Sequence, residues 1–282
     1  MQTVYRGKTL ERGRAISIYE IFLPLSSLKT VRGILFPLAT MVETHQILVL
    51  STLRSGTDRL LVRALSRTAG RVTLSIPLTH SQRASLRHTL FRPFALLEVS
   101  WEASPLTSIY RPRTARSTSR QDSILASPDK TAIVIFLAEF LTYATAEGDS
   151  GEQFFDYVNY AIEWLETAQS GYANFHIVFL FRLTRFLGIQ PNWESQQGTG
   201  RYFDLDSAEY TDRRPAHRAF LEGEDARAVG QLARLNFATM HLLHISGLQR
   251  SHILHVLISF YRLHLPGLPT PKSLEVLETV FA

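Results

Sequence analysis

The spacing of apolar residues changes near residue 121, and this change limits the possible folds more than any other feature of the sequence. Before it, apolar and polar residues alternate as they do in β-strands; Val72, Leu74 and Ile76, for example, share one face. After it, apolar residues recur at helical spacing over long segments. Those segments are 128–146, 153–169, 172–187, 225–235, 249–264 and 273–281. The sequence therefore predicts an α+β protein whose β-rich front half precedes a mostly α-helical back half.

The front half carries the signals of about five short strands. Apolar or alternating runs cover 47–50, 71–76, 94–101 and 109–116. The segment 59–67 fits either a helix or a strand, because its arginines recur every four residues. Its position between turns at 55–56 and 69–70 favours a strand. Five short strands with basic outer faces predict a five-stranded barrel of the oligonucleotide-binding (OB) fold.

Three segments of the chain differ in pattern. Residues 41–121 form the predicted OB-fold nucleic-acid-binding domain, and residues 122–282 form the predicted helical C-terminal domain. Residues 1–40 contain apolar runs without a clean period. Two interpretations of this first segment stay open: an upstream extension of the reading frame, with Met41 as the true start, or a native N-terminal element. The intact mass of the protein from its native host distinguishes them, because a species that begins at Met1 excludes the late start.

The positive charge is concentrated in the front half. The whole chain has a net charge of +5, with 30 Lys and Arg against 25 Asp and Glu. The balance is +4 over residues 1–40, +8 over 41–121 and −7 over 122–282. A basic front attached to an acidic back predicts a polyanion as the partner of the front half.

All twelve basic residues of 41–121 are arginines, and they are the predicted DNA contacts. Guanidinium groups bind phosphate in a bidentate way and also stack on bases, which suits a single strand with splayed bases. The residues predicted to bind DNA are Arg54, Arg59, Arg63, Arg67, Arg71, Arg83, Arg87, Arg92, Arg111, Arg113 and Arg116. The aromatic candidates for base stacking are Phe91, Phe94, Trp101 and Tyr110, although Phe94 and Trp101 fit the core better.

Signals for catalysis or metal binding are weak. The chain has no cysteine, which excludes disulfides, thiolate zinc sites and a cysteine nucleophile. The sequence also lacks the glycine-rich phosphate loop, the dinucleotide-binding turn and the nucleophile elbow. Three pairs of residues fit a solvated turn or a helix surface better than a metal site. These are Asp204 with Asp206, His241 with His244, and His252 with His255. We expect no enzyme activity, no metal and no cofactor.

Membrane and secretion signals are weak as well. The longest apolar run, 132–144, has 13 residues and includes Glu139, so it is too short and too polar for a membrane helix. The basic N-terminus contains Glu11 and Glu20, and no small-residue cleavage site follows it. We expect a cytoplasmic, nucleoid-associated protein.

Several segments resemble the RecO family of bacterial recombinational-repair proteins. In the back half they are 132–141 (AIVIFLAEFL), 173–180 (ANFHIVFL), 184–188 (TRFLG), 202–205 (YFDL), 260–267 (FYRLHLPG) and 272–278 (KSLEVLE). In the front half they are 47–50 (ILVL), 55–58 (SGTD), 90–94 (LFRPF) and 96–98 (LLE). The resemblance extends from about Met41 to Ala282 and is densest in the helical half.

The resemblance implies an OB-fold barrel, a helical domain and no covalent chemistry. RecO-like proteins bind single- and double-stranded DNA, anneal complementary strands and contact the acidic C-terminal tail of the single-stranded-DNA-binding protein. Together with RecR they help RecA to replace that protein on gapped DNA. The partner-tail pocket of the family lies around the first helix of the helical half, where Phe136, Leu137, Phe140 and Leu141 match it. Some members hold zinc with four cysteines, so this cysteine-free chain resembles a zinc-free form.

The front half departs from the family pattern at one loop. Residues 76–83 (IPLTHSQR) lack the leading basic residue and the glycine of the usual Lys/Arg-Gly-x-Arg segment, which leaves Arg83, Arg87 and Arg92 to carry the loop. Two alternative functions stay open. One is an RNA-binding module, since OB barrels serve both nucleic acids. The other is a non-catalytic scaffold that bridges repair partners.

Overall fold

The computed structural model describes residues 28–31, 34–37, 41–78, 88–102, 109–145, 151–192, 194 and 200–281. The chain divides into two units, residues 1–41 and 42–282. In the first unit, β1 (Leu28–Val31) and β2 (Ile34–Pro37) form an antiparallel hairpin.

A six-stranded sheet forms the front of the second unit. Its strands are β3 (Val42–Ser55), β4 (Arg59–Ser66), β5 (Gly70–Pro77), β6 (Leu96–Glu102), β7 (Ile109–Tyr110) and β8 (Thr114–Ser117). Their order across the sheet is β7-β5-β4-β3-β6-β8, and every pair is antiparallel except β5 with β7. The ambiguous segment 59–67 is therefore a strand over most of its length, as its position between two turns predicted.

The connection between the two edge strands requires the sheet to curl. In a flat sheet, β7 and β8 would lie five strand spacings apart, or about 24 Å. Only residues 111–113 separate the end of β7 from the start of β8. Four Cα steps cover at most about 14 Å, so the two edges must approach each other. The sheet is accordingly a barrel-like half-cylinder, followed by helices, which confirms the predicted α+β class and the order of its parts.

The strand count differs from the predicted five because the segment 109–116 is interrupted. It forms β7 on one edge of the sheet and β8 on the opposite edge, with Pro112 between them. Proline has no backbone N–H to donate and therefore interrupts the hydrogen bonding of a strand. The predicted fifth strand is thus two short strands that belong to different edges.

Two layers of apolar residues cover the middle of β3. Ile47 and Val49 point into the barrel core, together with residues such as Val62, Leu74 and Trp101. Leu48 and Leu50 point outwards and join the core of the helical half. Burial on both faces explains why 47–50 is a continuous apolar run rather than an alternating one.

Seven helices and a small sheet form the described part of the back half. The helices are α1 (Asp122–Ala126), α2 (Pro128–Ala144), α3 (Glu152–Thr167), α4 (Phe175–Phe186), α5 (Gly223–Arg234), α6 (Gly247–His264) and α7 (Leu274–Val280). The small antiparallel sheet has the order β10 (Glu209–Thr211), β9 (Tyr202–Asp204), β11 (Phe220–Glu222). Among these described helices, none is long and apolar enough to cross a membrane.

Helix α2 connects the two halves of the unit. It begins after Ser127, whose hydroxyl accepts a hydrogen bond from the backbone N–H of Lys130, and Pro128 occupies the first turn. Most of its faces are apolar and buried, because it packs against β3 on one side and against other helices on the rest. The helical core and the outer face of the sheet are therefore continuous through Leu65 and Phe94.

Candidate nucleic-acid interface

The arginines of β4 lie on the outer face of the curled sheet. Arg63 is opposite Thr73 of β5, whereas its neighbour Val62 is opposite Leu74 in the barrel core. Since side chains alternate along a strand, Arg59 and Arg63 point away from that core. They are about 13 Å apart along the strand. Arg67 directly follows Ser66, the last residue of β4, so the strand register places only the first two of the three arginines on one face.

Arg67 is held by the helical half. Its guanidinium group donates to both carboxylate oxygens of Asp156 on α3, at 2.9 and 3.1 Å, and lies 3.7 Å from a carboxylate oxygen of Glu152. These hydrogen bonds lower the pKa of Asp156 and raise the pKa of Arg67. Arg71 of β5 similarly donates to the backbone carbonyl of Thr145. Both arginines therefore help to attach the sheet to the helices.

Farther along β4, the outer face is open. Arg63 is exposed, and among the described residues it has neither a hydrogen bond nor an ion pair. Arg59 is half-buried and donates to the hydroxyl of Ser75 at 2.9 Å. Leu53 of β3 pairs with Leu61 on this face and is 60% exposed. We call this surface of Leu53, Arg59, Leu61 and Arg63 the open strip.

The other predicted DNA contacts are distributed around the sheet. Arg54 is exposed at the end of β3, opposite Leu60, and so faces the barrel side rather than the open strip. Arg92 and Arg111 are exposed in loops. Arg113 is paired with Glu102, and Arg116 donates to Glu98 at 2.9 Å. Arg83 and Arg87 lie outside the described residues.

The described arginines of the front half therefore fall into two groups. One group is engaged by carboxylates or by a backbone carbonyl. Its members are Arg67, Arg71, Arg113 and Arg116. The other has no carboxylate within ion-pair distance among the described residues. Its members are Arg54, Arg59, Arg63, Arg92, Arg111 and Arg120. An unpaired guanidinium group keeps its donors for an added anion, so this second group is the candidate phosphate-binding set.

The aromatic candidates lie mostly inside the barrel. Phe91, Phe94 and Trp101 are each at most 3% exposed, which confirms the core assignment of Phe94 and Trp101. Tyr110 is half-buried, with its ring centroid 5.1 Å from that of Trp101. His45 is stacked on Trp101, with ring centroids 4.0 Å apart, and burial lowers the pKa of this histidine. Of the four, Tyr110 is the one with ring surface left for a base.

The residues matched to the partner-tail pocket are in the helical core. Phe136, Leu137, Phe140 and Leu141 are all fully buried on α2. A peptide cannot contact these four side chains unless the helical half opens, so they contribute directly to the packing of the core. Two apolar residues of the same helix do reach solvent: Ile135 is 45% exposed and Tyr143 is 40% exposed.

The histidine pair of His252 and His255 has acidic partners that its sequence neighbourhood does not reveal. His252 is 3.0 Å from a carboxylate oxygen of Asp225, and His255 is 2.9 Å from one of Glu278. These acids come from α5 and α7, so only the packing of three helices brings the groups together. Within the described ranges, no group of three or more metal-ligating side chains is assembled.

The chain is similar to known proteins over most of its length. A family model described as "Recombination protein O C terminal" matches residues 125–274. The DNA repair protein RecO of Bacteroides fragilis is 38% identical over 242 residues, which are 86% of this chain and 100% of that protein. That of Phocaeicola vulgatus is 36% identical over 242 residues with the same coverage. That of Porphyromonas gingivalis is 28% identical over 245 residues, or 86% of this chain and 100% of that protein. The chain belongs to the RecO family.

Proposed function

We propose that this protein is a DNA repair and recombination mediator. It binds single- and double-stranded DNA through the front half and anneals complementary strands, without covalent chemistry. The observation that carries this proposal is the set of six described arginines around the curled sheet that have no carboxylate partner. Membership of the RecO family supports it, because the similar proteins are named as DNA repair proteins.

The mechanism is electrostatic capture followed by strand pairing. Two single strands repel each other through their phosphates, and arginines that neutralise those phosphates release counterions and reduce the repulsion. If about five phosphates are contacted, log affinity should fall with log salt at a slope of about −3.5. Leu53 and Leu61 give the open strip an apolar element, which suits contact with sugars and bases rather than phosphates.

The experiment that tests this function compares two sets of neutralised arginines. The variant Arg59→Gln with Arg63→Gln removes two charges from the open strip, and Arg185→Gln with Arg227→Gln removes two exposed charges from α4 and α5. We expect the first variant to lower the salt slope of single-strand binding by about 1.4 and to slow annealing. The second variant should have the same salt slope and the same annealing rate as the wild type.

The outcomes of this experiment separate the site from the function. Equal slopes in the two variants would reject the open strip as a phosphate site. A wild-type protein that anneals no strands would reject the function itself. Equal affinity for matched DNA and RNA strands would favour an RNA-binding module.

We infer that the mediator works with three protein partners. It contacts the C-terminal tail of the single-stranded-DNA-binding protein, acts with RecR and thereby helps RecA onto coated DNA. Exposed Ile135 and Tyr143 on α2 support a tail contact on that helix. Burial and the neighbouring Glu139 raise the pKa of Tyr143, and Arg63 is close enough to act in the opposite direction. A peptide with acidic residues and an apolar end would find apolar side chains and the positive charge of Arg63 close together there.

Annealing on coated oligonucleotides tests the partner assignment. Strands covered by the single-stranded-DNA-binding protein should anneal faster with its tail than without it. Substitution of Ile135 and Tyr143 by serine should remove this difference while leaving the annealing of bare strands unchanged. A tail effect that persists in this variant would place the contact elsewhere.

A further inference from the structure

The helical half carries a basic surface that its acidic net charge conceals. The loop between β10 and β11 reads Asp212-Arg-Arg-Pro-Ala-His-Arg218 and so contains three arginines within six positions. Arg213, Arg214 and Arg218 are all exposed. Averaging charge over residues 122–282 conceals this cluster, because most of the nineteen acids of that segment lie elsewhere.

Two arginines of this region are positioned by aromatic rings. The guanidinium carbon of Arg214 lies 5.3 Å from the centre of the Phe220 ring, and that of Arg201 lies 5.5 Å from the centre of the Tyr202 ring. The two rings contact each other edge to face, with centroids 5.6 Å apart. Cation–π contact fixes the plane of each guanidinium group and leaves its N–H donors at the edge, where an anion can reach them.

A groove continues this surface towards α6. Arg218 and Ala219 line one side of it, and His255, Ser259 and Arg262 of α6 line the other. The groove has a volume of about 610 Å³, which admits groups of nucleotide size. No Asp or Glu is among its lining residues.

The nearby carboxylates do not neutralise these arginines. Asp204 is 3.2 Å from a ring nitrogen of His217, and Asp212 accepts the backbone N–H of Arg201. The two histidines that line the groove have carboxylate partners of their own: His255 is 2.9 Å from an oxygen of Glu278, and His252 is 3.0 Å from one of Asp225. Five arginines of this surface lack a carboxylate within ion-pair distance among the described residues. They are Arg201, Arg213, Arg214, Arg218 and Arg262.

We call the surface formed by these five arginines the second basic surface. We propose that it binds the phosphate backbone of a second DNA single strand. The inference rests on the proposed strand-annealing function. Annealing needs two strands near one molecule, and two separate basic surfaces let one protein hold both at once. The open strip on the curled sheet holds one strand, and the second basic surface holds its partner.

The test counts strands with oligonucleotides that cannot pair. Donor- and acceptor-labelled oligothymidines are mixed with the protein, and energy transfer reports two strands on one molecule. The variant Arg214→Gln, Arg218→Gln, Arg262→Gln should keep its affinity for the first strand within about twofold and lose at least about tenfold for the second. The salt slope of second-strand binding should fall by about 2, as expected for three lost phosphate contacts.

Matched control variants show whether misfolding or the loss of net charge alone explains a change in binding. Arg185→Gln, Arg227→Gln, Arg234→Gln removes the same charge from other exposed positions of the helical half and should leave both binding steps unchanged. Arg218→Gln with Arg262→Gln leaves the contact of Arg214 with Phe220 intact and should still weaken the second step. Circular dichroism and thermal unfolding establish that each variant is folded.

The results distinguish this inference from the function on which it rests. If the triple variant shows the same energy transfer and annealing as the wild type, the second site is overturned, whereas the first strand site is unaffected. A wild-type protein that binds one oligothymidine and shows no energy transfer would also reject the second site and leave the first one unaffected. A wild-type protein that binds no strand would overturn the proposed function itself.

Discussion

At the scale of single residues, His176 shows what burial does to a titratable group. It lies on α4, is 1% exposed, and its Nδ1 has no hydrogen-bond partner among the described residues. Burial lowers the pKa of its imidazole to about 3, and the positive charge of Arg250 acts in the same direction. The folded protein therefore keeps this ring neutral at pH values where the unfolded chain protonates it.

The stability of the protein should depend on pH through this residue. The unfolded pKa is 6.5, so the cost of leaving His176 neutral is absent above that value and grows as the pH falls towards 3. In urea unfolding between pH 4 and pH 6, the free energy of unfolding should change less steeply in His176→Phe and His176→Gln than in the wild type. The expected difference is up to about 1.4 kcal/mol per pH unit. Identical slopes in all three proteins would show that the ring is protonated in the folded state.

At the scale of elements, a side chain of one helix holds the start of another. Glu139 of α2 accepts hydrogen bonds from the backbone N–H groups of Lys272 and Ser273, at 3.0 and 2.9 Å. These groups precede the short helix α7, whose own residues supply no side-chain cap. Burial alone would raise the pKa of Glu139, but hydrogen bonds from Ser273, Lys272 and Tyr143 outweigh it and the pKa lies below its usual value.

Loss of this cap should destabilise the helical half. We expect Glu139→Ala to lower the free energy of unfolding by about 1–2 kcal/mol, because two backbone donors lose their acceptor. Since the folded pKa is depressed, the contribution of the carboxylate is fully present above the unfolded pKa of 4.5 and is lost as the pH falls through the lower folded pKa. Denaturant unfolding at pH 7 and at pH 3 measures both effects. If the free energies of unfolding of wild type and variant differ equally at the two pH values, the charge of the Glu139 carboxylate does not contribute to stability.

At the scale of the whole second unit, packing of the sheet on the helices separates arginines that look alike in sequence. Arg63 lies on the outer face of β4, and Arg67, four residues later, directly follows the last residue of that strand. The helices cover the Arg67 end, where Asp156 and Glu152 of α3 engage the guanidinium group, and leave the Arg63 end open. The same residue type is therefore a structural contact at one position and a candidate DNA contact at the other.

Single substitutions at these two positions should affect different properties, DNA binding at Arg63 and stability at Arg67. Arg63→Gln should lower the salt slope of single-strand binding by about 0.7 and leave stability unchanged, since its guanidinium group has no hydrogen bond or ion pair in the described part of the chain. Arg67→Gln should change the slope by less than half as much and should lower stability. Removal of Asp156 as well should add little to the stability loss, because the two share one interaction. Equal changes of slope would show that DNA displaces Asp156 from Arg67.

Much of the architecture could be predicted from local patterns. The change from a period of two to a helical period near residue 121 is visible in consecutive residues, and so are the cap at Ser127 and the turns around β4. The sequence does not reveal the split of the last barrel strand, because both of its parts look like strand and only the closure of the sheet assigns them to different edges. The charge balance does not reveal the arginines of the loop 212–218, because they are averaged with a long acidic segment.

By itself, the sequence determined the fold class, the basic character of the front half and membership of the RecO family. Hydrophobic spacing, composition and family similarity are all properties of the linear chain. Only the tertiary structure decided which of the described arginines lack a carboxylate partner, because the partners that engage Arg67 lie up to 89 positions away in the chain. It likewise placed Phe136 and Phe140 in the core and Ile135 at the surface. Ion pairing and burial depend on distances between residues that are remote in sequence, and packing alone sets those distances.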